Sequence, residues 1–135
     1  MSPYSFREHP ADVQLHVVAE NRVELFEAAA MGMMEFLFGP DVLRAEPEQW
    51  VPVMVESSDV ETLLIDWLSE LLFIASTNYS AVVKVRVEES ESYRVRAQAG
   101  LRKAIASDDI KAVTHHELSV QEGPEGWEAV VTFDV

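Results

Sequence analysis

The sequence predicts an α+β fold in which two helices pack on a largely antiparallel sheet, as two layers in a single domain. Two segments repeat apolar residues at the helical period, and several others alternate apolar with polar residues as half-buried strands do. The alternating segments in the second half follow one another across short polar turns, which favours antiparallel pairing over a helix-crossed parallel sheet. At 135 residues, 48% of them hydrophobic, the chain is long enough and apolar enough to bury one core. No internal repeat, low-complexity tract or domain-separating linker interrupts it, so residues 1–135 read as one domain.

Tyr4 to Phe6 reads as an edge segment and Val13 to Val17 as a strand. Asn21 then caps a helix, with Glu24 in the capping-box position. Val23, Phe26, Ala30, Met33 and Leu37 form its apolar stripe, and Gly39-Pro40 stops it. The three methionines of this helix suit core filling, with an adaptable binding groove as the alternative. Val51 to Val55 is a strand whose Pro52 suits an edge or the strand's first residues. Ser58 and Glu61 form a second capping box, followed by Val60, Leu63, Leu64, Trp67, Leu68, Leu71, Leu72 and Ala75 at helical spacing. Strands at Val83 to Val87 and Tyr93 to Ala97 flank a polar turn, Glu89 to Ser92. Gly100 to Asp109 reads as loop or a short helical turn, and Leu118 to Val120 opens the next strand. Gly123 to Gly126 turns the chain, and Trp127 to Val135 returns. The outline is β-α-β-α-β-β-β-β.

Composition narrows the function. The absence of Cys removes thiolate metal sites, thiol nucleophiles and disulfides. No apolar stretch approaches the roughly 20 residues of a membrane span, and Met1 to Arg7 lacks the pattern of a signal peptide, so a cytoplasmic location is expected. Ten Lys and Arg against 24 Asp and Glu give a net charge of −14, which repels phosphate backbones and anionic lipid. Strong direct nucleic-acid binding is therefore not expected. The bases nearest to forming a cluster (Lys84, Arg86, Arg94, Arg96, Arg102 and Lys103) mostly alternate with valines, as on the polar face of a sheet.

The final segment places Trp127, Ala129, Val131, Phe133 and Val135 on one side, and Glu128, Val130, Thr132 and Asp134 on the other. A chain end held in a sheet fixes the Asp134 side chain and the terminal carboxylate at the end of a rigid element. Such grouped oxygens suit a hard divalent cation, with a solvated acid as the bland alternative. His9 and Asp12 stand at a spacing that permits a shared metal, with a solvated or hydrogen-bonded histidine as the commoner alternative. His115 and His116 are adjacent, so in a regular strand they point to opposite faces and do not chelate. Asp66 and Glu70, one turn apart on the second helix, suit a partner face or plain solvation. No Gly-rich phosphate loop, HExxH helix or nucleophile elbow occurs, and no enzyme mechanism is written in the chain.

Four segments together resemble the archease family: His9-Pro10-Ala11-Asp12 through His16, Glu61 to Leu72, Ile110 to Leu118, and Phe133-Asp134-Val135. They stand in the family's order and span essentially the whole chain. The departures are Pro10 for a common Thr, Gln14 for a common Gly, His115 for a frequent Tyr, and the missing Gly-Glu start between Ala99 and Asp109. They touch loop geometry more than the acidic site. The resemblance implies a non-enzymatic protein cofactor of the RtcB-type RNA-splicing ligase of tRNA splicing and RNA repair. It would speed GTP-dependent guanylylation of the ligase and support multiple turnover. The family's functional positions correspond to Asp12, Lys111 and Asp134. Its metal site corresponds to Asp12, Asp134 and Val135, the last through a main-chain or terminal oxygen, with His9 as an outer partner. Ca²⁺ is the implied ion, ahead of Mg²⁺ or Mn²⁺. Two rivals are a metal-dependent phosphoester hydrolase and a chaperone-like interaction module.

Overall fold

The computed structural model describes residues 2–9 and 12–135, with the backbone alone for 7–9, so Pro10 and Ala11 lie outside the described residues. Seven strands and two α-helices follow the order β1 (Tyr4–His9), β2 (Asp12–Ala19), α1 (Arg22–Phe38), β3 (Gln49–Glu56), α2 (Val60–Asn78), β4 (Ser80–Glu91), β5 (Arg94–Lys103), β6 (Ala112–Gly123) and β7 (Gly126–Asp134). A 3₁₀ turn at Val42–Arg44 links α1 to β3. All strand pairs are antiparallel. The α+β class with two helices is as expected, but the strands divide into two sheets, ordered β1-β2-β7-β6 and β3-β5-β4. Alternation marks each strand's buried side, and it carries no information on which strands pair.

Both helices pack against both sheets, α1 on β2 and β4, α2 on β6, β3 and β4. The core between them gathers Leu15, Val17, Phe26, Met33, Leu64, Trp67, Leu68, Val95, Val131 and Phe133. Met33 and Met34 are fully buried, so the methionines of α1 fill core. Trp67 stands edge-on to Phe26 and donates its Nε1–H to the Phe26 carbonyl at 2.9 Å, which satisfies the only polar atom of a buried indole. No helix among the described residues is long and apolar enough to cross a membrane.

Local chemistry explains the element boundaries. Asn21 Oδ1 accepts the Glu24 N–H at 2.9 Å, as its capping position requires, while the Glu24 carboxylate accepts from Glu20 N. Helix α1 ends at Gly39, whose φ of +84° suits glycine. The second helix starts one residue later than its sequence suggests. Asp59, not Ser58, is the N-cap and accepts the Thr62 N–H at 2.7 Å. Strand β3 carries Pro52 at a sheet edge, as expected. Strand β5 continues through Gly100 to Lys103, which had read as loop, because its register with β3 and β4 extends that far. The β4–β5 turn is tighter than Glu89 to Ser92, with Ser92 at φ +43°. Strand β6 begins at Ala112 instead of Leu118, and its irregular middle hides the alternation that would mark it.

Candidate functional site

Strands β2 and β7 pair from Asp12 opposite Asp134 to Ala19 opposite Trp127. Val13, Leu15 and Val17 on one strand, and Ala129, Val131 and Phe133 on the other, are buried in the core. Side chains alternate along a strand, so Asp12 and Asp134 share the opposite, outer face. Directly opposed residues have Cβ atoms about 5 Å apart, close enough for two carboxylates to repel. His9 stands opposite Asp12 on β1, its side chain outside the described residues. The chain therefore brings its early aspartate and its last strand residues into one place.

Lys111 joins them from the other flank. Its N–H donates to the Asp134 carbonyl at 2.7 Å, and Ala112 pairs with Asp134. The preceding loop is tied down as well: the Ser107 and Asp108 N–H groups donate to the Leu37 carbonyl at 2.8 and 3.2 Å, and Ile110 is buried. Those bonds occupy the free end of α1 and deliver an exposed Lys111 beside the acidic pair.

Among the described residues, charge compensation is lacking there. Among the described residues neither Asp12, Asp134 nor Lys111 takes part in an ion pair. The Oδ1 atom of Asp12 is buried and accepts no hydrogen bond from the described residues. A buried acceptor left unmet costs about 1–3 kcal/mol. A hard cation bound between the two carboxylates removes both penalties, so the donor set fits one. Among the described residues no three His, Cys, Asp or Glu side chains gather as a ligand group. A cation here would complete its shell from main-chain oxygens and water.

His115 and His116 sit in a bulge of β6, both exposed, so the opposite-face rule of a regular strand does not govern them. His115 lies near the start of α2. There the Asp59 carboxyl is held below its ordinary value of 3.8, first by the Thr62 backbone N–H and last by the His115 charge. Sequence reasoning missed the anchoring of this bulge by Gln14, whose polar position in β2 gave no sign of its burial. Three basic residues of the second sheet face acids: Arg94 meets Glu56 and Glu89, Arg96 meets Glu88 and Glu89, and Lys84 meets Glu46.

The chain matches the model of the Archease protein family (MTH1598/TM1083) over residues 4–135. It is 34% identical to the protein archease of Archaeoglobus fulgidus over 137 residues, covering 98% of each chain. It is 33% identical to that of Methanosarcina mazei over 141 residues, 98% of this chain and 95% of the relative. Its fold resembles the solution structure of Methanobacterium thermoautotrophicum protein 1598, with a TM-score of 0.79, 29% identity and full coverage of both chains. It also resembles the crystal structure of an archease from Thermotoga maritima, described as a possible chaperone. There the TM-score is 0.68 over 96% of this chain and 94% of the other, and at 20% identity the likeness shows the fold alone.

Proposed function

The chain belongs to the archease family, and from that membership we propose that it activates an RtcB-type RNA-splicing ligase, promoting the ligase's GTP-dependent guanylylation through a divalent cation held at the Asp12–Asp134 pair. In this reading the protein performs no ligation itself. The observation that supports it is the register, which sets Asp12 opposite Asp134 with Lys111 bonded to the same strand end. The unmet Asp12 Oδ1 adds a reason for a cation in particular. Asp12 and Asp134 hold the ion and Val135 adds a main-chain or terminal oxygen. Ca²⁺ is the ion the family suggests, and Mg²⁺ or Mn²⁺ share its preference for oxygen. The ion supplies concentrated positive charge at the docking face. Lys111 offers a compact ammonium to a phosphate of the ligase's nucleotide.

The net charge of −14 favours docking on a basic, RNA-binding surface of the ligase over contact with RNA. Stimulation should therefore weaken as salt rises, and salt-independent stimulation argues against electrostatic docking.

The test is guanylylation of the partner ligase with GTP and Mg²⁺ or Mn²⁺, with the native chain and with Asp12→Ala, Lys111→Ala and Asp134→Ala. The native chain should raise rate and turnover, and the folded variants should not. A native chain without effect refutes the proposal. The chaperone description of the Thermotoga maritima relative motivates a second reading. It predicts suppression of client aggregation that survives Asp12→Ala. A hydrolase predicts phosphoester turnover with no ligase present.

A further inference from the structure

An irregular stretch of backbone lies on the strand that flanks β7. Between Thr114, opposite Thr132, and Ser119, opposite Val130, strand β6 places four residues where β7 has only Val131. Within this bulge Glu117 adopts φ +53°, a left-handed conformation that a glutamate keeps only when its surroundings impose it.

What imposes it is a set of polar bonds on the outer face of the first sheet. Gln14 and Thr132 are cross-strand partners, the next pair on that face after Asp12 and Asp134. Although they lie on the side away from the core, both are buried, at 4% and 1% exposure. Gln14 Nε2 donates to Glu117 Oε2 at 2.5 Å and to Thr132 Oγ1 at 3.3 Å. Thr132 Oγ1 donates to the His116 carbonyl at 2.8 Å, and the His116 N–H donates to Thr114 Oγ1 at 3.3 Å. The bulge is folded down over the sheet, and Gln14 is the one long side chain in this set that reaches up from β2 to grip it.

We propose that Gln14 is a positioning residue for the cation site: by clamping Glu117 it holds the His115–Leu118 bulge folded over the β2–β7 face, one pair along from Asp12 and Asp134. The proposal rests on the reading of the acidic pair as a cation site. An amide is suited to the task because it grips a carboxylate without adding a positive charge that would oppose the cation. Outer partners of this kind set ligand orientation and solvent access, and their loss weakens metal binding by about tenfold to 100-fold.

The test is calorimetric titration of the full chain with CaCl₂, read alongside amide hydrogen exchange at residues 115–118. Gln14→Met keeps the volume and removes the clamp. It should bind Ca²⁺ about tenfold more weakly and expose the bulge amides, with the rest of the exchange pattern preserved. Glu117→Gln retains an acceptor for Gln14, so it should keep the bulge protected and lose less affinity than Gln14→Met. Should Gln14→Met fail to fold, Glu117→Ala breaks the same clamp from the exposed side and should give the same loss. Native affinity in a folded clamp variant overturns the inference and leaves the proposed function standing. Absence of Ca²⁺ binding by the native chain overturns the cation site itself and the inference with it.

Discussion

The outer face of the β3-β5-β4 sheet and the Asp12–Asp134 end of the β1-β2-β7-β6 sheet are both rich in charge, and they treat it in opposite ways. On the former, Arg96 lies 3.3 Å from Glu89 and 3.5 Å from Glu88, and Arg94 lies 3.1 Å from Glu56. Several of these pairs are set directly by strand register, as with Glu56 opposite Arg94 and Glu89 opposite Arg96. At the latter, register sets acid opposite acid, and among the described residues one carboxylate oxygen is buried with no partner. The same antiparallel geometry therefore builds a self-satisfied surface in one place and an unmet demand for positive charge in the other. Unmet demand is the property that points to a ligand; abundance of charge is not.

The strongest challenge to this contrast is Asp134→Ala. It should lower Ca²⁺ affinity by more than about 100-fold, beyond the loss expected from an outer partner, and abolish stimulation of the ligase. Calorimetry and the guanylylation assay check it, and retained affinity removes the contrast altogether. Next in size is the effect of the ion on folding. Ca²⁺ at about 100 times its Kd should raise the unfolding free energy by about 2.7 kcal/mol in urea melts, reversed by chelator. Asp12→Asn should show no such gain, and without metal it should be at least as stable as the native chain because the repulsion is relieved.

The satisfied sheet should respond weakly. Arg96→Ala removes a half-exposed pair and should cost about 0–1 kcal/mol without altering Ca²⁺ affinity. A change in affinity there shows that the two faces are not independent.

Asp59 provides the smallest and finest comparison, an acid satisfied by its own backbone. The Thr62 N–H stabilises its ionised form and lowers its pKa from 3.8. The cap therefore contributes fully at pH values above 3.8, and its contribution fades as pH falls through the lowered folded-state value. Asp59→Asn keeps a capping oxygen and cannot titrate. The stability difference between it and the native chain should shrink or reverse as pH falls from 5 towards 2. A difference that stays flat across that range removes the assignment.

Much of this was open to reading from residues in a row. Asn21, Glu24, Gly39 and the apolar stripes mark α1 because caps and periodicity act within a few residues. The one-residue error at α2 arose because Ser58 and Asp59 are both competent caps, and only the path of the chain selects the one that meets Thr62 N–H. Strand β6 escaped because His115-His116-Glu117-Leu118 obeys no alternation while it bulges. Gln14 escaped because an outward polar residue is expected to be wet, and only a distant segment folded over it makes it buried.

The order of residues alone determined that Asp134 would point away from the apolar side of its strand and that Asp12 would stand at the entry to another. Tertiary structure decided that these two strands are neighbours, that the aspartates fall directly opposite one another, and that Lys111 and the bulge flank them. Alternation and capping are local and repeat within a few residues. Pairing and register are settled by contacts across more than 100 residues of sequence, through the summed packing of every inward-facing side chain.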